Sequence, residues 1–502
     1  MRKRAAWFCF CLWLSLAALL ASSSQAANYE FRVTFPEGVR AEPFTGRVYL
    51  FFSKAPNGEP RGGPNWFNPE PLLAIDVENW KPNELLAIGA AAGSRVRSHP
   101  KPVAELDLSG HRVQAVARFN PYERVVGRGP GNGFSAVVAV APPGGRDAPQ
   151  DLSIDKLVEE QPFPENRWFK LVSVRSKLLS DFHKRDVSVR GSVLLPASYY
   201  DQPERRYPVI LEVPGFGGTH VSRRFTEPVQ EKNAGGVEFL RVTLDPSCPL
   251  GHHVFADSAN NGPVGAALVK ELVPELDQKF RTVAAPTARF LTGHSSGGWS
   301  SLWLQVMYPD VFGGTWSTSP DPVDFRDFQV IDMYREGENM YHDRADKRRP
   351  LARMGGRVVL WYDDFDHTEE VLGFGGQLHS FEASFSPRGA DGKPLRAWNR
   401  DTGAVDTSVA RTWEKYDIRL ILERNWSDLG PKLAGKLHVF QGEVDTFYLE
   451  GATRLLKESL AKLKSDAVVE IIPGRNHFDL ITAELNQRMR AEIVQTFLKH
   501  HN

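Results

Sequence analysis

The second half of the chain constrains the fold most, because short apolar segments alternate there with segments of helical periodicity. The apolar segments are rich in β-branched and aromatic residues, which favour strands. They are "VSVRGSVLLP" (187–196), "YPVILEVPG" (207–215), "EFLRVTLD" (238–245), "ARFLTG" (288–293), "KLHVFQG" (436–442) and "AVVEIIPG" (467–474). The helical segments are 265–280, about 451–463 and 483–499. This alternation predicts a doubly wound α/β domain over residues 168–502, with a mostly parallel sheet covered by helices on both faces.

The residues before this domain follow a different sequence pattern. In residues 28–142, apolar runs of period two alternate with clusters of Pro, Gly and Asn, as in "GRVYLFF" (46–52) and "HRVQAVARF" (111–119). Short strands at this spacing predict a small β-sandwich of immunoglobulin-like architecture. Residues 143–167 are polar and interrupted by prolines, so we expect a linker between the two domains. A chain of 502 residues is long enough for two hydrophobic cores.

One long interval interrupts the alternation within the α/β domain. Residues from about 320 to 428 are too many for a single crossover, and we therefore predict a cap inserted over the end of the sheet. The interval contains four tryptophans, Trp361, Trp398, Trp413 and Trp426. These side chains could form a platform for a sugar or an aromatic acyl group, or simply the core of the cap itself.

The N-terminus has the three parts of a secretion signal. Three basic residues stand near its start, residues 5–20 are almost continuously apolar, and small residues lead up to Ala26. We predict cleavage of residues 1–26 and a mature protein that is secreted or periplasmic, with no membrane attachment after cleavage. Of the three cysteines, only Cys248 lies outside this segment, so the mature chain cannot form an internal disulfide.

The balance of charge excludes some classes of partner. Lys and Arg together number 61, as do Asp and Glu, so the formal net charge is zero. A chain without net charge has no general attraction to nucleic acid or to an anionic membrane surface. We therefore expect no nucleic-acid partner.

The segment "GHSSG" (293–297) contains the candidate nucleophile. A serine at a tight turn from a strand into a helix needs small residues on both sides, and Gly293 and Gly297 flank Ser295 in this way. The apolar run before it and the helical pattern after it are the context that such a turn requires. Ser295 is therefore the predicted nucleophile, and the following residue, Ser296, would offer its backbone N–H to a developing oxyanion.

A serine hydroxyl needs a base to take its proton, and that base needs an acid to orient it. His477 follows the last strand segment and precedes the last helix, at the carboxyl edge of the sheet, and it is the predicted base. Asp445 lies just past another strand end in the expected chain order and is the predicted acid. Glu443 and Asp479 are the alternative carboxylates.

An oxyanion hole needs a second N–H, supplied by the loop after an earlier strand. The segment "EVPGFGGTH" (212–220) is rich in glycine, so its backbone can approach a substrate closely. Pro214 has no N–H to donate. The second donor is therefore Phe216 or Gly217.

These motifs resemble the putative esterase family of α/β-hydrolases, which includes esterase D-like, feruloyl esterase and enterochelin esterase proteins. The resemblance rests on "GHSSGG" (293–298), "VPGFGG" (213–218), "QGEVD" (441–445) and "PGRNH" (473–477) and covers roughly residues 168–502. It implies Ser295 as nucleophile, Asp445 as acid, His477 as base, and Phe216 and Ser296 as oxyanion donors. Many members have a histidine where this chain has Pro214.

Other titratable residues have weaker claims to a function. "WYDDFDHTEE" (361–370) is acidic enough for a divalent cation but lacks the spacing of a calcium loop, so we predict no metal. His252 and His253 could line a pocket or lie in a surface loop. Cys248 lacks the tight turn that surrounds Ser295, and we expect it to be an ordinary small residue.

The combined prediction is a secreted serine hydrolase that cleaves carboxylic esters through an acyl-enzyme and needs no cofactor. Its substrate would be a small-molecule or carbohydrate ester, including esters of aromatic acids. An acyltransferase or a peptidase on the same fold is the alternative within enzymes. A non-catalytic glycan-binding protein with an inert triad is the alternative from another class.

Overall fold

The computed structural model describes residues 29–145, 148–228 and 233–501. The predicted secretion signal, residues 1–26, lies outside the described residues. Within the described ranges, no helix is both long and apolar enough to cross a membrane. The two largest sheets have nine and eight strands, the first formed by the N-terminal part of the chain and the second by the rest.

The N-terminal sheet consists of short strands that enclose one apolar core. They are β1 (Glu30–Thr34), β2 (Phe44–Ser53), β3 (Leu72–Trp80), β4 (Leu86–Gly89), β5 (Val96–His99), β6 (Arg112–Ala117), β7 (Gly133–Ser135), β8 (Val138–Ala139) and β9 (Gln150–Leu157). Their order is β4-β1-β9-β7-β6-β2-β3-β5, with β8 beside β6. The Phe31 ring of β1 meets the Phe52 ring of β2 at 5.6 Å, although three strands separate β1 from β2 in this order, so the sheet folds over its own core. This β-rich region agrees with the predicted fold class.

The predicted linker over residues 143–167 is wrong for its middle part. Gln150–Leu157 is strand β9, which pairs in parallel with β1 and antiparallel with β7. Leu152 and Ile154 point into the core, while their neighbours Asp151, Ser153 and Asp155 are exposed. The prolines that suggested a linker lie on either side of this strand. The period-two burial of these side chains is that of a strand with one face against the core.

The second sheet is the mostly parallel sheet that the alternating pattern predicts. The strands of this region are β10 (Phe169–Arg175), β11 (Ser188–Leu194), β12 (Val209–Val213), β13 (Leu240–Leu244), β14 (Ser247–Cys248), β15 (Gly251–His252), β16 (Arg289–His294), β17 (Gly314–Thr318), β18 (Pro350–Met354), β19 (Arg357–Trp361), β20 (Leu437–Gly442) and β21 (Val468–Ile472). The sheet order is β10-β11-β13-β12-β16-β17-β20-β21. Only the pairs β10–β11 and β11–β13 are antiparallel. The short hairpins β14–β15 and β18–β19 stand apart from it.

Helices cover both faces of this sheet, which confirms the predicted α/β class. They are α1 (Lys177–His183), α2 (Val264–Ala267), α3 (Val273–Lys279), α4 (Ser296–Met307), α5 (Tyr362–Leu372), α6 (Gln377–Phe385), α7 (Thr407–Arg411), α8 (Ile418–Leu433), α9 (Glu450–Lys462) and α10 (Ala483–His501). A π-helical turn, Leu268–Leu272, joins α2 to α3. On β16, Phe290 packs against α10 and the adjacent Leu291 against α2 and α3. Neighbouring side chains of one strand thus enter separate cores.

The cap occupies the chain between β17 and α8 and holds the β18–β19 hairpin and helices α5, α6 and α7. Its predicted end at residue 428 is wrong, because that position lies within α8. This helix packs against α4 and α9 and carries the chain back to β20, so it belongs to the layer that covers the sheet. Trp398 and Trp413 are buried in the apolar core that the cap shares with α4 and α8, and they form no open platform for a ligand.

The cap is docked on the N-terminal sheet through α5. Val371 enters an apolar cluster with Tyr49 and Phe51 of β2. The Tyr49 hydroxyl donates to the carbonyl of Leu372 at 2.7 Å, and Arg47 donates to the carbonyl of Val371 at 3.0 Å. Both faces of β2 are therefore buried, one in the core of its own sheet and the other against the cap.

A charge placed in this contact should separate the cap from the sheet. We expect Val371→Asp to lower the free energy of unfolding by about 3 kcal/mol or more, because it places a carboxylate in a buried apolar cluster. Val358→Asp, at a site that is 37% exposed, is the matched control and should change little. Urea unfolding measures both. Equal stability of the two variants would contradict the docked arrangement.

Candidate active site

Ser295 stands at the sharp turn that joins β16 to α4. Its backbone has φ 60° and ψ −127°, a combination that is costly for a residue with a side chain. The Ser295 N–H donates to the carbonyl of Thr318 at 3.0 Å, and its own carbonyl accepts from Trp299 at 3.0 Å. These bonds hold a strained conformation that presents the serine side chain at the end of the sheet, as the flanking glycines predict.

The two glycines of the turn are required by close backbone approach. A Cβ atom at Gly297 would overlap the carbonyl oxygen of Val213, at the end of β12. A Cβ atom at Gly293 would overlap the carbonyl of Gly297. The start of α4 can therefore lie against β12 only because these side chains are absent.

His477 and Asp445 form a buried pair beside this turn. The Nδ1 atom of His477 lies 2.9 Å from Oδ2 of Asp445, and the Asp445 side chain is fully buried. Gln441 donates to the same carboxylate at 2.9 Å and the Phe447 N–H at 2.8 Å. Burial alone would raise the pKa of Asp445, but the His477 charge and these hydrogen bonds outweigh it and lower that pKa. The carboxylate is thus ionised and fixed in direction.

The alternative carboxylates point elsewhere. Glu443 accepts a hydrogen bond from the Gly474 N–H at 3.0 Å, and Asp479 accepts one from the Asn476 N–H at 2.7 Å. Each therefore stabilises the loop that carries His477 rather than its imidazole. Of the three acids considered from the sequence, Asp445 is the one bonded to His477.

The predicted oxyanion donors lie next to Ser295. A Cβ atom on Gly215 would be 3.4 Å from that of Ser295, so the loop after β12 touches the nucleophile. Phe216 lines the same cavity as Ser295, whereas Gly217 faces an adjoining one. Ser296 is the first residue of α4, where backbone N–H groups have no partner within the helix. Donation by Phe216 and Ser296 to an oxyanion remains a prediction.

His252 supports the oxyanion loop from behind. Its Nδ1 accepts from the Val254 N–H at 3.1 Å, so its Nε2 carries the proton and donates to the Pro214 carbonyl at 2.9 Å. Burial lowers the pKa of His252 to about 3 and keeps the ring neutral. The sequence left two positions open for His252, in the wall of a pocket or in a surface loop, and the structure shows neither. His252 holds the loop at Pro214.

Asp321 is absent from the predicted site residues, yet it lies within the site. Its Oδ2 accepts from the Ser296 hydroxyl at 2.5 Å and lies 3.4 Å from Nε2 of Gln377. Burial raises the pKa of Asp321 to about 6, although the Ser296 hydroxyl and the His477 charge favour its ionised form. The residue follows β17, the neighbour of β16, and so reaches the carboxyl edge where the nucleophile stands.

Ser295 and His477 open into a cavity of about 460 Å³. Aromatic side chains dominate its wall: Trp66, Phe67, Phe216, Phe365, Phe381, Phe447 and Phe478. They come from the N-terminal domain, the oxyanion loop, the cap and the loops after β20 and β21. A concave apolar site with a few converging polar groups is typical of a binding site for a small molecule.

The sequence of the central segment matches a known family. Residues 184–368 match the model of a family described as "Putative esterase". The matched segment is similar to this esterase family. It contains Phe216, Ser295 and Ser296, and it ends before Asp445 and His477. The chain is therefore an ester hydrolase, as the motifs predict.

Solved structures share only distant likeness with the chain. A ferulic acid esterase has 14% sequence identity and a TM-score of 0.41, over 66% of this chain and 100% of that one. An S-formylglutathione hydrolase from Agrobacterium tumefaciens has 13% identity and a TM-score of 0.39, over 66% and 94%. A dipeptidyl peptidase 4 from Porphyromonas gingivalis has 12% identity and a TM-score of 0.38, over 85% and 48%. No curated protein matches the sequence.

The acidic segment 361–370 is engaged in hydrogen bonds and ion pairs. Asp366 accepts from the Tyr341 hydroxyl at 2.6 Å and from the Trp398 indole at 2.7 Å. Glu369 accepts from the N–H groups at the start of α6, including that of Leu378 at 3.0 Å. Among the described residues, no group of three or more His, Cys, Asp or Glu side chains is arranged to hold a metal ion.

Because Gly297 lies against the carbonyl of Val213, a single methyl group added at this position should disturb both the fold and the activity. We expect Gly297→Ala to lower the free energy of unfolding by about 2 kcal/mol or more and to reduce ester hydrolysis, because β12 and α4 must move apart. Gly38→Ala, where no atom lies within 4 Å of the new Cβ, is the control. Thermal unfolding and hydrolysis of p-nitrophenyl acetate measure the two effects. A fully active Gly297→Ala variant would show that this contact does not shape the turn.

The raised pKa of Asp321 predicts a pH-dependent stability. Its ordinary value is 3.8 and its folded value about 6, so the unfolded chain releases this proton at lower pH. The contribution of Asp321 to the free energy of unfolding therefore falls as the pH rises from about 4 to about 6. Asp321→Asn removes this loss and should gain up to about 3 kcal/mol relative to wild type across that interval. Urea unfolding between pH 4 and pH 7 tests this, with the exposed Asp201→Asn as control; a pH-independent difference would refute it.

Proposed function

We propose that the chain is a secreted or periplasmic serine esterase in which Ser295, His477 and Asp445 act as nucleophile, base and acid. The observation that carries the proposal is the buried bond between His477 and Asp445, next to a strained serine that opens into the same cavity as the imidazole. Secretion is proposed from the N-terminal sequence alone.

In the first half of the reaction, the Ser295 oxygen attacks the ester carbonyl carbon while His477 takes the hydroxyl proton. Asp445 stabilises the resulting imidazolium. The carbonyl oxygen becomes an oxyanion, and the N–H groups of Phe216 and Ser296 donate to it. The tetrahedral intermediate collapses, the bond to the alcohol oxygen breaks, and His477 returns the proton to that oxygen. The products are a free alcohol and an acyl group on Ser295.

In the second half, water attacks the acyl carbon and His477 takes one of its protons. A second tetrahedral intermediate forms in the same oxyanion hole. It collapses when the bond to Ser295 breaks, and the proton on His477 passes to the serine oxygen. The acid then leaves, and the enzyme returns to its starting state. The cycle consumes one water and needs no cofactor.

The cavity wall supports esters with an aromatic or otherwise apolar group. Its aromatic rings offer a large area that a hydrocarbon or ring substituent can cover. Phe478 is 62% exposed, so the rim is open to substrate. We therefore propose esters of aromatic acids, including those attached to carbohydrate, as the substrate class.

A glycan-binding protein with an inert triad is the competing function. The strained backbone of Ser295 costs stability, and the buried Asp445 carboxylate fixes the direction of the His477 imidazole, which matters for proton transfer. A binding protein gains nothing from either feature. The geometry therefore favours the esterase.

Active-site labelling separates these two functions. We expect a fluorophosphonate probe to label the wild type and not Ser295→Ala. Hydrolysis of p-nitrophenyl acetate should fall by about 10³-fold or more in Ser295→Ala, His477→Ala and Asp445→Asn. Glu443→Gln, the carboxylate that points away from His477, should retain wild-type activity. A wild type that reacts with neither probe nor ester would favour the binding protein.

A further inference from the structure

The loop between β2 and β3, residues 54–71, reaches from the N-terminal domain into the hydrolase domain. At its tip, the Trp66 ring meets the Phe365 ring of α5 edge to face, with centroids 5.0 Å apart. The same indole lies 5.5 Å from the ring of Phe216 in the oxyanion loop. Phe67 stacks against Phe447 at 6.2 Å, two residues after the predicted acid. The tip of this loop therefore contacts the oxyanion loop, the cap and the acid loop together.

The side chains of this tip line the cavity that holds Ser295 and His477. Trp66 and Phe67 are partly buried, and both pack against the largest apolar cluster of the hydrolase domain. Without the loop, the cavity would be open on the side that Trp66 now closes. The N-terminal domain thus supplies part of the wall that a substrate in this cavity touches.

The loop has a defined shape before any substrate binds. The Asn65 side chain accepts from the N–H of Phe67 at 2.9 Å and closes a tight turn around Trp66. Nearer the start of the loop, Arg61 donates to the carbonyl of Gly127 at 2.5 Å and stacks on the Phe134 ring at 3.9 Å. Both anchors lie in the N-terminal domain. A wall that is fixed in advance costs little ordering entropy when substrate binds.

A second residue of the N-terminal domain touches the oxyanion loop. The Arg124 guanidinium lies 5.0 Å from the centre of the Phe216 ring and 3.4 Å from the carbonyl oxygen of Gly217. Trp66 and Arg124 therefore both contact Phe216. The conformation of the predicted oxyanion donor thus depends on this domain as well as on His252.

We propose that the N-terminal domain is part of the active site and that Trp66 is a specificity-determining residue, whose indole packs against an aromatic ring of the ester substrate. This inference rests on the proposed function and adds to it a role for the N-terminal domain. A ring in contact with Trp66 replaces water on an apolar surface, and stacked or edge-to-face geometry adds to the gain. A substrate without a ring does not gain this binding free energy. Trp66 therefore favours aromatic esters over small aliphatic ones.

The test compares three esters on the full-length chain, because an aromatic ring can belong to the acid or to the alcohol. Methyl cinnamate carries it on the acid, phenethyl acetate on the alcohol, and ethyl acetate has none. We expect Trp66→Ala to lower kcat/KM by about 10- to 100-fold for at least one aromatic ester, mainly through KM, and by much less for ethyl acetate. The ester with the largest loss of kcat/KM shows whether the acid or the alcohol part of the substrate faces Trp66.

The matched control is Tyr122→Ala, an aromatic side chain of the same domain that is 55% exposed and outside the cavity. This variant should leave kcat/KM unchanged for all three esters. Trp66→Phe keeps a ring and should restore most of the aromatic preference. Trp66→Leu fills more of the space and gives the same selective loss if the alanine variant does not fold.

Two different results would overturn the two proposals separately. Equal effects of Trp66→Ala on all three esters, or no effect on any, would refute the role of Trp66 in specificity while the wild type still reacts with fluorophosphonate. A wild type that neither reacts with fluorophosphonate nor hydrolyses any ester would refute the proposed function itself.

Discussion

The contact between the start of α4 and the end of β12 is the constraint on which the site depends. Gly297 lets the helix lie against the carbonyl of Val213, and the chain continues from that carbonyl directly into the oxyanion loop. This backbone contact therefore brings the turn at Ser295 close to the loop that carries Phe216. The positive φ of Ser295 follows from the same approach, because only a sharp turn leads from β16 into a helix so close to the neighbouring strand.

Burial gives the ionisable groups around this contact three different charge states. Asp445 is ionised, because His477, Gln441 and a backbone N–H compensate for the loss of water. His252 is neutral, because its two nitrogens are satisfied by one donor and one acceptor and burial opposes its charge. Asp321 lies between these cases, with a pKa of about 6. The balance of burial, neighbouring charge and hydrogen bonds decides the state of each group.

The parts of this site that were predictable from the sequence are those where a local pattern carries the chemistry. The glycines around Ser295 and the strand before it are adjacent in the chain, and the Asp445 and His477 loops each follow a strand of readable period. Asp321 was not predictable in this way, because β17 has the sequence "GTWST" with a single large apolar side chain. Trp66 lies in a polar loop rich in proline and glycine, and only tertiary packing brings it to the cavity. Strand β9 and the end of the cap at α8 could not be predicted for the same reason, because contacts with residues distant in the sequence define both.

Helix α5 connects the N-terminal sheet to the wall of the proposed active site. Val371 faces the N-terminal sheet, whereas Phe365, six residues earlier, faces Trp66 and the substrate cavity. Six residues correspond to about 1.7 turns of an α-helix, so these side chains lie on different sides of the helix. Between them, Glu369 accepts the N–H groups at the start of α6, whose Gln377 donates to the hydroxyl of Ser296 at 3.2 Å. A displacement of the N-terminal sheet would thus move α5, α6 and the wall of the site together, and the geometry around Ser295 depends on a domain that contributes no member of the predicted triad.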